Sequence, residues 1–158
     1  MKQRKQSGFS LIELLVVVAI LMIISAIAIG KLLSARTAAL EGAAVSTTRN
    51  LATALTLYET KYGSFPGTLT PLGGTCNSTT PPTPTLACLV DTTILTNMTS
   101  TSGQGQYVYT YIQLASGGFT LNANPAPGSS ATRHLYVDDG LTIHTNSAAA
   151  ASITDPTI

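Results

Sequence analysis

The chain has 158 residues, 44% of them hydrophobic but only 9% charged, with a formal net charge of +1. Globular proteins carry about 25% charged side chains; here Ser, Thr, Gly and Ala fill the deficit, which suits a protein that works outside the cytoplasm or packs against copies of itself. No surface is basic enough to bind nucleic acid, and the length allows one domain plus an extended element.

Residues 1–8 form a short basic head with Lys2, Arg4 and Lys5. From Leu11 to Ile29 the only strongly polar side chain is Glu13, with Ser25 a mild second. About 20 apolar residues cross a bilayer as a helix, the one single-segment structure that satisfies its own backbone in lipid. Lys31 and Arg36 follow the span, and three positive charges ahead of it favour a cytoplasmic N-terminus. A carboxylate in such a segment costs roughly 2.5–3.5 kcal/mol at the helix centre and less near the interface. It is tolerated when it finds a partner, and a free α-amino group on a neighbouring copy is one.

The run Gly8-Phe9-Ser10-Leu11-Ile12-Glu13-Leu14-Leu15 resembles the class III signal of type IV prepilins and type II secretion pseudopilins. That signal has a short basic leader, a Gly, an aromatic, a Glu four residues past the aromatic, and an apolar helix. The resemblance implies cutting between Gly8 and Phe9 by a prepilin peptidase, N-methylation of Phe9, and use of Glu13 in assembly. An ordinary secretory signal also has a basic head, and Ala26-Ile27-Ala28 would be its cutting site. Its apolar region is about 7–15 residues, however, and it gives no reason for Glu13; nor does a simple membrane anchor. Loss of residues 1–8 leaves five basic against seven acidic side chains, a net charge of −2.

Beyond the span the pattern turns amphipathic. Leu33, Thr37, Leu40, Ala44, Thr48, Leu51, Leu55, Tyr58 and Tyr62 recur three or four apart, one face of a helix. Gly63 is a stop signal, with Pro66 beyond it. One helix is therefore predicted from Phe9 to Tyr62, roughly 80 Å at about 1.5 Å per residue. Residues 9–30 are its transmembrane and filament-core half, and 31–62 its amphipathic half. Gly30 and Gly42 each cost about 1 kcal/mol against Ala inside a helix. Gly30 stands where many major pilins carry a helix-breaking Pro, so it reads either as the membrane exit or as a flexible joint.

Residues 63–106 read as loop, rich in Gly, Pro, Ser and Thr. Cys76 and Cys88, the two cysteines of an exported chain, are expected to form a disulfide. Ala87–Asp91 reads as a short strand or turn, and 97–105 again as loop. Four strands follow: Tyr107–Leu114, Phe119–Asn124, Arg133–Val137 and Leu141–His144, with Asp138-Asp139-Gly140 a hairpin turn. Residues 63–145 make a globular head, and 146–158 a flexible tail. The expected fold is α+β and pilin-like, one long N-terminal helix packed on a small antiparallel sheet of about four strands.

The remaining candidates read as structural. Asp138 and Asp139 are turn residues rather than Ca²⁺ ligands. His134 and His144 lie on strands without the partners of a zinc site. Tyr107, Tyr109 and Tyr111 share one strand face and read as sheet packing more than as a sticky patch. No catalytic constellation occurs, so no enzyme, cofactor or metal is expected. The resemblance implies the structural subunit of a type IV pilus-like filament: a homo-oligomer, made in the cytoplasmic membrane with its N-terminus inside, extracted by an assembly platform, and displayed at the cell surface. A type II secretion pseudopilin in the periplasm is the alternative. A membrane-anchored binding protein using its Tyr face is the reading from a different class.

Overall fold

The structure, a computed structural model, describes residues 9–99 and 106–158. The expected leader, 1–8, and residues 100–105 of the expected loop lie outside them. The elements are α1 (Leu11–Tyr62), a 3-10 turn (Thr70–Leu72), α2 (Thr92–Thr99), β1 (Tyr107–Gln113), β2 (Phe119–Pro125), β3 (His134–Asp138) and β4 (His144–Asn146). Contacts divide the chain into two units, one ending at Thr37 and one running from Ala38 to Ile158.

The first unit is the apolar part of α1. Its large side chains from Leu11 to Leu33 are exposed, and α1 contains a stretch long and apolar enough to cross a membrane. The helix passes through Gly30, and in the second unit through Gly42, without interruption. A side chain at either glycine would meet open space, so neither is required for packing within this chain.

In the second unit α1 buries Ala44, Thr48, Leu51, Ala52, Ala54, Leu55 and Tyr58. The period of 3.6 residues brings most of these onto one stripe, and the small side chains of Ala52 and Ala54 widen it. Thr48, fully buried, donates its hydroxyl to Ala44 O at 2.8 Å, so its own polar atom is satisfied. The helix ends at Gly63, whose φ of 82° only glycine adopts without strain and whose N–H bonds to Glu59 O at 2.7 Å.

The sheet is a four-stranded meander in the order β1-β2-β3-β4, antiparallel throughout. Side chains alternate across it. Phe119, Leu121 and Ala123 of β2 and Leu135 and Val137 of β3 are buried in the same core as Leu51 and Leu55 of α1. Tyr109 pairs with Ala123 and Tyr111 with Leu121, so the tyrosines share this inner face. The aliphatic side of β1 is the outer one, with Ile112 half-exposed. The tyrosine hydroxyls reach the rim of the core: Tyr107 donates to Arg133 O at 2.8 Å and Tyr111 to Pro66 O at 2.6 Å. Burial pushes both up to about 12, so each remains a donor at any working pH.

The segment after α1 is not plain loop. Gln113 Nε2 donates to Phe65 O at 2.7 Å, and the Phe65 ring meets that of Phe119 edge-on, 5.0 Å between centroids. Helix α2 (Thr92–Thr99) stands within the 63–106 segment that the sequence suggested was loop. Its start is set by Asp91, whose Oδ1 accepts from Thr93 N at 2.7 Å and Thr93 Oγ1 at 2.6 Å; those two bonds hold the Asp91 carboxyl below its usual range. Cys76 and Cys88 are joined by a disulfide with a sequence separation of 12. The loop it closes folds back on the 3-10 turn through Ala87 N to Pro71 O and Leu89 N to Leu72 O, both 2.8 Å. Leu86 packs so close to Gly74 that a Cβ there would collide with it. In the chain-entropy view such a bridge stabilises by roughly 2–3 kcal/mol. Replacing both cysteines by serine is expected to lower the stability of the folded protein by that amount in denaturant titration, with helix content retained.

The largest departures from the sequence reading lie at the C-terminal end. The fourth strand was expected at 141–144 and lies at 144–146, because Leu141 adopts a left-handed φ of 58° after the Asp-Gly turn and breaks the extended run. Ile143 then plugs the core, 2% exposed. The expected flexible tail is instead pinned along β4. Thr145 N bonds to Pro156 O at 2.8 Å and Ile158 N to Ile143 O at 3.1 Å. Asp155 gathers Ser152 N at 2.7 Å, Ser152 Oγ at 3.0 Å and Asn146 Nδ2 at 2.9 Å. An Ala/Ser/Thr composition hid this clasp, because its bonds join polar groups and leave no hydrophobic period.

Candidate processing and assembly site

The N-terminal end of α1 is built by Ser10 and Glu13. A helix leaves its first N–H groups without partners inside the helix. Here Glu13 Oε2 reaches back to accept from Ser10 N at 2.9 Å, while Ser10 O accepts from Glu13 N at 3.1 Å and Leu14 N at 3.3 Å. Ser-x-x-Glu is the sequence of a capping box. The carboxylate also sits at the end of the helix dipole that favours negative charge. Glu13 therefore has a local role in starting the helix, which the sequence argument missed although the Ser10–Glu13 spacing encodes it.

Phe9 precedes the cap and is 78% exposed; Gly8 lies outside the described residues. Around and beyond Glu13 the surface is apolar on every side: Leu11, Ile12, Leu14, Leu15, Val16, Val17 and Val18 all stand exposed. A helix apolar all round belongs in lipid or in a protein core, and this one finds no core within its own unit.

The other candidates lie in the second unit and do not converge. His134 Nδ1 shares a hydrogen bond with Asn124 Oδ1 at 2.8 Å, and His144 Nδ1 bonds to Asp155 O at 2.7 Å. Asp138 Oδ1 accepts from Gly140 N at 2.9 Å, holding the turn. Among the described residues no group of three or more His, Cys, Asp and Glu could hold a metal ion. Tyr109 and Tyr111 line one wall of a groove of about 460 Å³, opposite Leu69, Leu95 and several threonines.

Comparison with known proteins bears on the N-terminal end. Residues 3–29 match the family model of the prokaryotic N-terminal methylation motif. The chain carries the prepilin-type signal. That signal, shared by type IV pilins and pseudopilins, spans the leader, Glu13 and the apolar run, and stands on an α+β, pilin-like layout. It implies processing by a prepilin peptidase and points to a structural, pilin-type precursor; with the apolar helix it also points to membrane anchoring. No curated protein and no solved structure matches this chain.

Proposed function

We propose that this prepilin-type chain is the subunit of a type IV pilus-like filament. It is made in the cytoplasmic membrane with its N-terminus inside, cut after Gly8, methylated on Phe9, and polymerised through residues 9–30. What carries the reading is the methylation motif set on a helix whose side chains stand bare from Leu11 to Leu33. Such a surface must be covered, first by lipid and then by copies of itself. In that packed core Glu13 has to be answered by a positive group, and the freshly exposed amine of Phe9 on the adjacent subunit is the one the processing step creates. Residues 31–62 are the amphipathic half of the helix and 63–145 the globular head, with 146–158 clasped to its sheet.

The disulfide-closed loop leans the reading toward a pilus, with a secretion pseudopilus as the alternative within the same class. Deleting the chain is expected to abolish surface filaments and leave secretion intact; intact filaments with blocked secretion would transfer the chain to the pseudopilins. Gly8→Glu is expected to leave an uncut precursor in the membrane on an immunoblot. Mature-length protein from that variant would contradict the cutting site.

A further inference from the structure

The geometry points to Asn77 as the acceptor of an N-linked glycan, a modification that rests on the exported placement of the head proposed above. Asn77-Ser78-Thr79 has the Asn-x-Ser/Thr pattern of such acceptors. The pattern recurs at Asn97-Met98-Thr99, but that copy lies within α2, where the backbone N–H groups are committed to the helix. The first copy is on exposed irregular chain, residues 77–80, inside the loop whose base the Cys76–Cys88 bridge holds.

The local bonds at Asn77 suit the chemistry. Its Oδ1 accepts from Thr79 N and Thr80 N, each at 2.8 Å. Two donors at one end of the carboxamide identify that end as the oxygen and leave Nδ2 on the other side. Among the described residues Nδ2 has no hydrogen-bond partner. Donors on the oxygen also favour the charge-separated form of the amide and acidify its N–H, which eases loss of the proton as the nitrogen attacks. Asn146 provides an internal comparison. Its Oδ1 makes the same turn with Ala148 N at 2.9 Å and Ala149 N at 3.2 Å, but its Nδ2 is spent on Asp155 and Ala148 stands where the hydroxyl residue is needed.

The co-reactant is a sugar carried on a lipid-linked phosphate. Nδ2 bonds to the anomeric carbon and the carbon–oxygen bond to the phosphate breaks. The phosphate leaves with the electron pair, and the Nδ2 proton passes to a base of the transferase. Nothing is oxidised or reduced.

The test is mass spectrometry of the full chain, purified from its own source and digested without reduction, beside variants made in the same host. The expected result is a sugar mass that fragment ions place on Asn77. It is lost completely in Asn77→Gln and Thr79→Ala and kept in Thr79→Ser. A bare Asn77 on a chain whose disulfide is closed overturns the inference, as does sugar on Thr79, Thr80, Thr83 or Thr85 instead, or sugar that survives Thr79→Ala. The closed bridge reports export independently, and the N-terminal peptide of the same digest reports the prepilin reading. A bare Asn77 with free thiols counts against the exported placement and so against the glycan too.

Discussion

Glu13→Ala is expected to give a chain that is still cut after Gly8 but assembles poorly. Two losses are combined in that substitution, and their sizes differ. Removing the capping bond to Ser10 N costs about 0.5–2 kcal/mol of helix stability. Leaving the amine of a neighbouring Phe9 buried without its carboxylate costs about 3–5 kcal/mol, roughly two to nearly four orders of magnitude in association. Glu13→Gln separates them, because Gln can complete a capping box yet carries no charge. Filament yield from Glu13→Gln is therefore expected to fall nearly as far as from Glu13→Ala, with helix content by circular dichroism unchanged in the Gln variant. Normal filaments from Glu13→Gln would reduce Glu13 to a helix cap and remove the pairing from the account.

Phe119→Ala is expected to be the most damaging single change in the head. Phe119 is fully buried, its ring 5.0 Å from that of Phe65 and 6.2 Å from that of Tyr111. It thereby ties the chain after α1 to β1 and β2. Truncating a buried Phe costs about 3–5 kcal/mol, a large part of the about 5–15 kcal/mol that holds a typical domain folded. The expected outcome is a matching drop in denaturant stability, followed by tyrosine fluorescence because the chain has no Trp. Phe119→Leu, which keeps most of the volume, should recover much of it. A Phe119→Ala chain as stable as the parent would mean that the core is not packed as described.

The strong periodicities were legible from the residues alone. The apolar run, the stripe through Ala44, Thr48, Leu51, Leu55 and Tyr58, the Gly63 stop and the alternation in β1 to β3 each reflect burial repeated at a fixed spacing, and burial is what a sequence encodes most plainly. What escaped was held by polar groups. Helix α2 rests on the Asp91 cap within a threonine-rich segment of poor intrinsic helix propensity. The C-terminal clasp rests on Asp155 and backbone pairing, and neither shows in a hydropathy pattern. The start of β4 was displaced by one left-handed residue, Leu141. At the candidate site the motif around Glu13 was readable because membrane cost makes a lone carboxylate conspicuous. Its bond to Ser10 was readable too, through the Ser-x-x-Glu spacing.

The most direct test of the central claim is intact and N-terminal peptide mass spectrometry of the protein taken from assembled filaments. The account predicts a chain that starts at an N-methylated Phe9 with Glu13 unmodified four residues on. A chain starting at Met1, or at Ile29 after conventional signal cleavage, would contradict it.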